Sequence, residues 1–538
     1  MTIPGSQIIF LLEITWNNRI HRFSTRPIRI YDDVNEEDLQ FIGTLNTPEI
    51  TISSNFFGIN LENQSIPFEL IFDNENLVLA RLQGRVLDNS IGILSYIEIN
   101  EELQDIPTYN EKTIIFKGRI SQPIIGDVSK PIGYCSFSLE QGIEIDDFVI
   151  DSTTFKISGW STINQGKNIP LVIGYPGKNI KFADENGNLT EQDFSVTPAY
   201  LFRNDIGNAW LCISFGIVEA GFVYVSDSEG NVEPGLPVEQ VRISQSTQIM
   251  SYVNIDSTAL TISEDSNQKY FVSWQYSGGG LNNPFGAGAL EGGADIIRYV
   301  FSFGNIDIDF QNFDSVAPIL NAYKFSGYIN QPSQGMNFLE SEILPFLPCE
   351  ITYGIKGIKI IIPLLFSNLY QTPQYHIIEN SDFRFEGALV SQQTPSEIIN
   401  YLDFEFAYSL MTEQFISKIT INPTLNDNTS FDSKTTYSDI SFNRYGLKRQ
   451  TIQAAFIHDF QTAVRVAQNI VRKKALGTIT LEAVTNLSFG KINIGDILQI
   501  TSESFHLLNH KVQVIEKKYV QNGWKFTLVL EDNPIQNQ

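Results

Sequence analysis

Thr478-Ile479-Thr480-Leu481-Glu482-Ala483-Val484, Ile497-Leu498-Gln499-Ile500-Thr501, Lys511-Val512-Gln513-Val514-Ile515-Glu516-Lys517-Lys518 and Lys525-Phe526-Thr527-Leu528-Val529-Leu530 are four short runs rich in β-branched and aromatic residues. Their near-alternation of apolar and polar side chains predicts half-buried strands. Gly495-Asp496 predicts one turn between them. Asn522-Gly523 predicts a tight hairpin, because this pair readily takes the positive φ angles of a two-residue turn. Residues 478–530 therefore read as one compact β unit.

Working back from this unit, Ile452, Phe456, Ala463, Ala467, Ile470 and Val471 can share one stripe of a helix over 451–475. Asp459 can instead cap a shorter helix beginning at Phe460, and Gly477 ends either version. Leu402–Tyr408 alternates around Asp403 and Glu405 as a strand. Further back, Ala294–Phe301 and Ser315–Tyr323 offer short helical patterns, with Pro318 read into the first turn of the second. Gly335–Leu347 carries Met336, Leu339, Ile343 and Leu344 at helical spacing, and Pro345 and Pro348 stop it. Glu350–Thr352 and Gly357–Leu364 follow as strands. Ser277–Gly293 holds seven glycines and the turn Asn282-Asn283-Pro284; it reads as a linker or arm, with a lid as the alternative.

The earlier half is strand-like throughout. Ile8–Thr15, His21–Ile30, Glu49–Ser53, Pro67–Phe72, Thr113–Ile120 and Tyr134–Leu139 are separated by Gly, Asn, Asp and Pro at spacings typical of barrels or sandwiches. Gly118 inside Phe116–Ile120 marks a bulge or a close backbone approach. The expected fold is mainly β with smaller α/β portions, multidomain, and built on β-barrel domains. Five segments are expected: an N-terminal barrel-like domain over 1–160, a β-rich domain over 161–276, the Gly-rich 277–293, a small α/β module over 294–385, and a C-terminal β domain with one long helix over 386–538.

Composition narrows the function. Among 538 residues, 42% are hydrophobic and 12% aromatic, enough for sizeable cores and against disorder. Only 18% are charged, below the roughly 25% of an average domain. An uncharged polar surface suits faces buried against partners, and it also suits a secreted domain. With 36 basic against 61 acidic residues and a net charge of −25, the chain is poorly suited to gripping phosphates. Such acidity fits the border of a passage along which DNA slides without sticking. Cys135, Cys212 and Cys349 are odd in number and far apart, unlike a disulfide framework. Met1–Phe10 lacks the basic region and long apolar core of a signal peptide. The longest apolar run, Ile358–Phe366, is interrupted by Lys359 and Pro363, so a soluble product made in a reducing cytoplasm is expected.

Local chemistry is sparse. His506 and His510 have ligand-like spacing, with Glu503 nearby, but no His-Glu-x-x-His pattern accompanies them, and they are expected to be structural or exposed. Gly166–Gly177 lacks the Gly-Lys-Ser/Thr of a phosphate loop, Asp227–Glu233 lacks calcium-loop spacing, and no Gly-x-Ser-x-Gly elbow is present. Asp307 with Asp309, and Asp403 with Glu405, would share strand faces and read as solvated pairs. Glycosidase carboxylates on separate strands would leave no local signature. No catalytic residue, metal ligand or cofactor is expected. Charge is unusual in one place: Arg444 to Lys474 contains seven basic residues and one acidic, Asp459. Lys473 and Lys474 complement a helix C-terminus whatever the function. Arg444, Lys448, Arg449 and Arg465 are the candidate interface, facing an acidic neighbour or another copy; a solvated face is the alternative.

Tyr445-Gly446, Ala463-Val464-Arg465-Val466-Ala467-Gln468, Leu476–Leu481, Ile494-Gly495-Asp496-Ile497 and Trp524–Glu531, taken in order, resemble the C-terminal part of phage central tail hub proteins. Ile169-Pro170-Leu171-Val172-Ile173-Gly174 is similar to a segment of tail-tip proteins, and elsewhere the resemblance is patchy. It implies a homotrimer whose paired tube-type barrels form a pseudo-sixfold ring joining the tail tube to the tip and helping to close or open the DNA channel. The implied partners are a distal tail or tail-tube protein, a tape-measure protein and other tail-tip or fibre proteins. Neither specific nucleic-acid binding nor stable membrane insertion is implied. The implied location is the virion tail tip, after assembly in the host cytoplasm. The alternatives are a receptor- or carbohydrate-binding fibre or baseplate protein, in which Trp160, Trp210 and Trp274 are platform or core residues, and a β-rich glycoside hydrolase.

Overall fold

The computed structural model describes residues 6–53, 58–60, 64–71, 83, 87–100, 107–125, 133–141, 148–150, 170–194, 197–205, 208–215, 222–226, 236–237, 239–245, 248–255, 269–273, 280–304, 306–329, 331–367, 372–385, 390–391, 397–520 and 523–530. Contacts divide the chain into two compact units. The first takes residues 1–144, 349–392 and 478–532; the second takes 145–348, 393–477 and 533–538. Each unit draws on several of the five consecutive segments expected from the sequence.

The first unit begins with the apolar run of Ser6–Trp16, a strand with both faces covered. Phe10, Leu12, Ile14 and Trp16 point into the main core, whereas Ile9 and Leu11 point the other way. Opposite faces follow from the two-residue period of a strand, and burial of both explains the unbroken apolar run Ile8–Leu12. On the outer face the hairpin Ile28–Asp32/Glu37–Phe41 supplies Ile30, Leu39 and Phe41 as cover. Glu13 is the polar exception there. It is buried, and Lys112 Nζ at 2.5 Å, Tyr109 Oη at 2.9 Å and Arg22 Nε at 3.4 Å compensate its charge.

Six antiparallel strands form the sheet in the order Arg19–Ser24, Ser6–Trp16, Ile91–Asn100, Thr113–Ile125, Tyr134–Gln141 and Gln64–Ile71. It is a curled half-barrel and not the closed barrel expected from strand spacing. Its edge strands do not pair. Instead Ile42–Asn46 reaches both: Ile42 N–H donates to Arg22 O (3.1 Å), and Asn46 N–H to Glu69 O (3.0 Å). Gly118 makes the close approach expected of it, since a Cβ there would lie 2.4 Å from Glu140 O.

A second curled sheet shares this core. Its path runs Tyr375–Ile378, Ile497–Ser502, Leu507–Val520, Gly523–Leu530, Ile479–Thr485 and Phe383–Phe385, with Val390–Ser391 and Thr51–Ser53 attached at its side. The four runs that open the sequence reading are all strands of this sheet, and Gly495 takes the turn with φ +90°. Trp524 lies fully buried between the sheets, its ring centroid 5.8 Å from that of Tyr96 and 5.2 Å from that of Tyr519. Lys517 Nζ sits 4.6 Å from the Trp524 ring and donates to Gly490 O at 2.5 Å; burial pulls this lysine's pKa down to about 8.

In the second unit, Asp432–Ser433, Gln414–Ile421, Tyr401–Ser409 and Arg449–Ala454 form a four-stranded sheet covered by the helix Phe460–Lys474. Ala463, Val466, Ala467 and Val471 of the helix are fully buried, and Phe460 packs between Phe406 and Phe431. A seven-stranded sheet lies within 197–273. Two helices, Gly293–Phe303 and Phe310–Leu320, pack on one another. From Gly280 to Gly293 the Gly-rich segment is held against Leu171–Ile173, with Gly280 N–H on Gly174 O and Leu281 N–H on Val172 O. Ser277–Gly279 lie outside the described residues, as do Trp160, Trp274, the expected boundary after residue 160 and the segment Asp227–Glu233.

Three helical expectations need correction. The longer helix over 451–475 does not form: Arg449–Ala454 is a strand, and Asp459 caps the shorter version by accepting from Thr462 N–H. The helix read over Ser315–Tyr323 begins at Phe310, because Asp309 accepts from Asn312 N–H as its cap; Pro318 consequently falls in the last turn. Gly335–Leu347 is a broken series of α, π and 3-10 turns, since Pro345 has no N–H to give the preceding turn.

His458 ties the second unit together. It is fully buried; Nδ1 accepts from Gly177 N–H (3.0 Å) and Nε2 faces Ala455 O (3.2 Å). An imidazolium cannot accept the first bond, and burial lowers the pKa to about 4 from an ordinary 6.5. The unfolded chain therefore takes up this proton before the folded one. His458 should make stability fall by up to about 3 kcal/mol as pH drops from 6.5 to about 4, with none of this loss above 6.5. Chemical unfolding across that window measures the slope, and His458→Gln should flatten it. In the first unit, a Cβ on Gly490 would lie 2.5 Å from Trp524 Nε1 and Tyr96 Oη. Gly490→Ala should destabilise by about 1–3 kcal/mol in urea unfolding followed by tryptophan fluorescence.

Candidate functional site

The four cations singled out in the sequence do different work. Arg449 opens the strand Arg449–Ala454, in parallel register with Tyr401 of Tyr401–Ser409. Its Nη2 and Nε reach Asp403 Oδ2 at 2.6 and 3.1 Å, and its guanidinium lies 4.7 Å from the Tyr401 ring centroid. The hydrogen bond to Asp403 pushes the Arg449 pKa further up. Arg465 donates Nη1 to Ala322 O at 2.8 Å and lies 5.2 Å from the centroid of Tyr323. Both arginines therefore help to hold the second unit together. Arg444 and Lys448 differ: among the described residues, neither side chain forms an ion pair.

These two cations flank a loop whose shape is set from below. The helix Thr436–Tyr445 starts in a capping box of Thr435 with Ser438 and ends at Gly446, which has φ +70° and ψ −171°. Only glycine reaches that region without strain, which accounts for the Tyr445-Gly446 pair. The fully buried Asn400 then fastens the loop. Its Nδ2 donates to Gly446 O (2.8 Å) and Ser441 Oγ (3.2 Å), and its Oδ1 accepts from Lys448 N–H (2.7 Å). Asn400 N–H and Tyr401 N–H both return to Lys448 O at 3.0 Å. Held in this way, the loop leaves Tyr445 38% and Leu447 53% exposed between Arg444 and Lys448. An aromatic and an aliphatic side chain with two cations are displayed together on a fixed backbone. They offer neither a nucleophile nor a proton-transfer pair.

The other candidate groups are also placed. Asp309 is a helix cap, so it shares no strand face with Asp307. Asp403 is buried against Arg449 and accepts from Thr420 Oγ1 (3.0 Å), while Glu405 accepts from Gln453 Nε2 (2.8 Å). His506 takes a positive φ in the turn before Leu507–Val520, and His510 lies within that strand. Among the described residues, no group of three or more His, Cys, Asp or Glu could hold a metal ion, and no helix is long and apolar enough to cross a membrane. Cys135 and Cys349 are buried and in no disulfide. Periodicity gives no signal for Asn400, because its side-chain partners lie 41, 46 and 48 residues away.

No protein-family model and no curated protein sequence matches the chain. Among solved structures, it is similar to the tail protein from Neisseria meningitidis MC58, with 8% identity, a TM-score of 0.34, and coverage of 98% of this chain and 97% of that one. A chain of the virion of a native gene transfer agent particle gives 8% identity and a TM-score of 0.38 over 72% of this chain and 89% of that one. The prophage MuSo2 43 kDa tail protein from Shewanella oneidensis gives 10% and 0.27, over 68% and 98%. Scores this low assign no function.

Asn400→Ala should release the loop, leaving the Lys448 N–H and Gly446 O without their buried partner, and should cost about 2–3 kcal/mol of stability. Hydrogen exchange should speed up at Lys448, while amides in the first unit keep their protection.

Proposed function

We propose that this chain is a non-enzymatic structural subunit at the distal end of a phage tail: a hub that joins the tail tube to the tip. The observation that carries this reading is the pair of curled sheets around one core in the first unit. A paired tube-type domain in a threefold subunit is the arrangement needed to meet a sixfold tube, which is what the resemblance of the Tyr445–Glu531 motifs implies. Those motifs have coherent structural reasons: Gly446 for its φ, Ala463 and Ala467 for close helix-to-sheet packing, Gly495 for its turn and Trp524 for the shared core. The chain's acidity supports a place beside a DNA passage, where adhesion to phosphates would be a hindrance.

In this reading the subunit is a homotrimer contacting a distal tail or tail-tube protein, a tape-measure protein and other tip or fibre proteins, and it helps to close or open the channel. Cryo-electron microscopy of assembled particles tests it. The expected result is three copies in a ring around the tail axis at the end of the tube. Copies found only at the periphery of the baseplate, or on fibres, would reject the hub.

A further inference from the structure

A second exposed apolar patch in the second unit has the opposite charge. Phe310, the first residue of its helix, is 66% exposed, and Phe285 on the Gly-rich segment is 42% exposed. Arg298 joins the Gly-rich segment to the helix that Phe310 begins. Its guanidinium lies 5.8 Å from the Phe285 centroid and 5.5 Å from that of Phe313, and Nη2 pairs with Asp314 at 2.5 Å. Phe310, Phe313 and Asp314 stand three and four residues apart, so they share one helix face. The Phe285 tip is fixed from behind: Asn283 Oδ1 accepts from Phe285 N–H (2.9 Å), and Asn283 Nδ2 donates to the buried Asp295 (2.7 Å).

Residues 293–320 hold four carboxylates and one arginine, and that arginine is already paired. Asp307, exposed three residues before Phe310, has no ion-pair partner among the described residues. Arg444 and Lys448 have none either, in a chain whose overall charge is −25. The two patches do not neutralise each other within one molecule. Phe310 lies at the N-terminal end of an eleven-residue helix, roughly 16 Å from its other end at 1.5 Å per residue. Ala322, just past that other end, is what Arg465 holds.

We infer that the Phe285–Phe310 patch with Asp307 is the docking surface for the Arg444–Lys448 loop of a second copy of this chain. Leu447 and Tyr445 pack on the exposed phenylalanines, while Arg444 and Lys448 face Asp307 and Asp314. Two different surfaces of one chain meeting in this way make a heterologous contact, which closes into a ring when the rotation permits. The inference rests on the proposed ring and supplies its contact.

Sedimentation velocity on the full-length protein and its charge variants provides the test. The wild type should self-associate in a salt-sensitive manner. Arg444→Asp with Lys448→Asp should weaken association by at least about tenfold, and so should Asp307→Lys with Phe310→Ala. All five exchanged positions are at the surface, and circular dichroism should show folded variants. The decisive variant combines Arg444→Asp and Lys448→Asp with Asp307→Lys and Asp314→Lys, which inverts both partners and should recover most of the lost affinity. If wild type assembles and the reversed loop assembles equally well, the pairing is wrong and the ring reading survives. Loss with both double variants but no recovery in the fourfold charge-inverted variant also overturns the pairing. A wild type that stays monomeric at every concentration overturns the pairing and the ring together.

Discussion

The first unit depends on a strand that is buried on both faces from Ile9 to Ile14. Ser6–Trp16 sends Phe10, Leu12, Ile14 and Trp16 one way and Ile9 and Leu11 the other. Removing both faces from water, at about 25 cal/mol per Å² of apolar surface, requires cover on both sides of the sheet. The hairpin Ile28–Phe41 supplies one cover and the second curled sheet the other. The sharing of one core follows from this need, and Trp524, Tyr96 and Tyr519 occupy the junction. Even Glu13 conforms: placed on a buried face, it is met by a lysine, an arginine and a phenol.

The second unit is organised by polar groups instead. Asn400, His458 and Asp403 are buried, and each joins segments far apart in sequence. A buried polar group without a partner is costly, so each of these side chains admits few alternative arrangements. The apolar contacts of Phe404, Phe406 and Phe460 supply cohesion, whereas the hydrogen bonds fix which strand lies beside which loop.

What could be read from the sequence follows the same division. Strands were legible where polar side chains alternate with apolar ones, as in Ile479–Thr485 and Tyr401–Ser409, because that alternation marks the face turned to the core. The capped start of Phe460–Lys474 was legible as one of two versions; the apolar stripe over 451–475 could not decide between them, since Ile452 and Phe456 suit a strand and a turn equally well. The start of Phe310–Leu320 was obscured because Asp307-Ile308-Asp309-Phe310 alternates like a strand while Asp309 acts as a cap. Barrel closure was illegible in principle: strand spacing reports the number of strands, and the failure of two edges to pair is decided by Ile42–Asn46 lying between them. Of the candidate surface, charge was visible in sequence. Its subdivision into spent and unspent cations was not, because Asp403 and Ala322 lie far from Arg449 and Arg465 along the chain.

The Asn400 clamp separates what supports the loop from what the loop displays. Gly446 and Asn400 tolerate almost no replacement, one for its backbone angles and the other for its three side-chain bonds, yet neither faces outward. Arg444, Tyr445, Leu447 and Lys448 face outward and bear little of the fold. The displayed side chains can therefore be exchanged while the backbone that presents them stays unaltered.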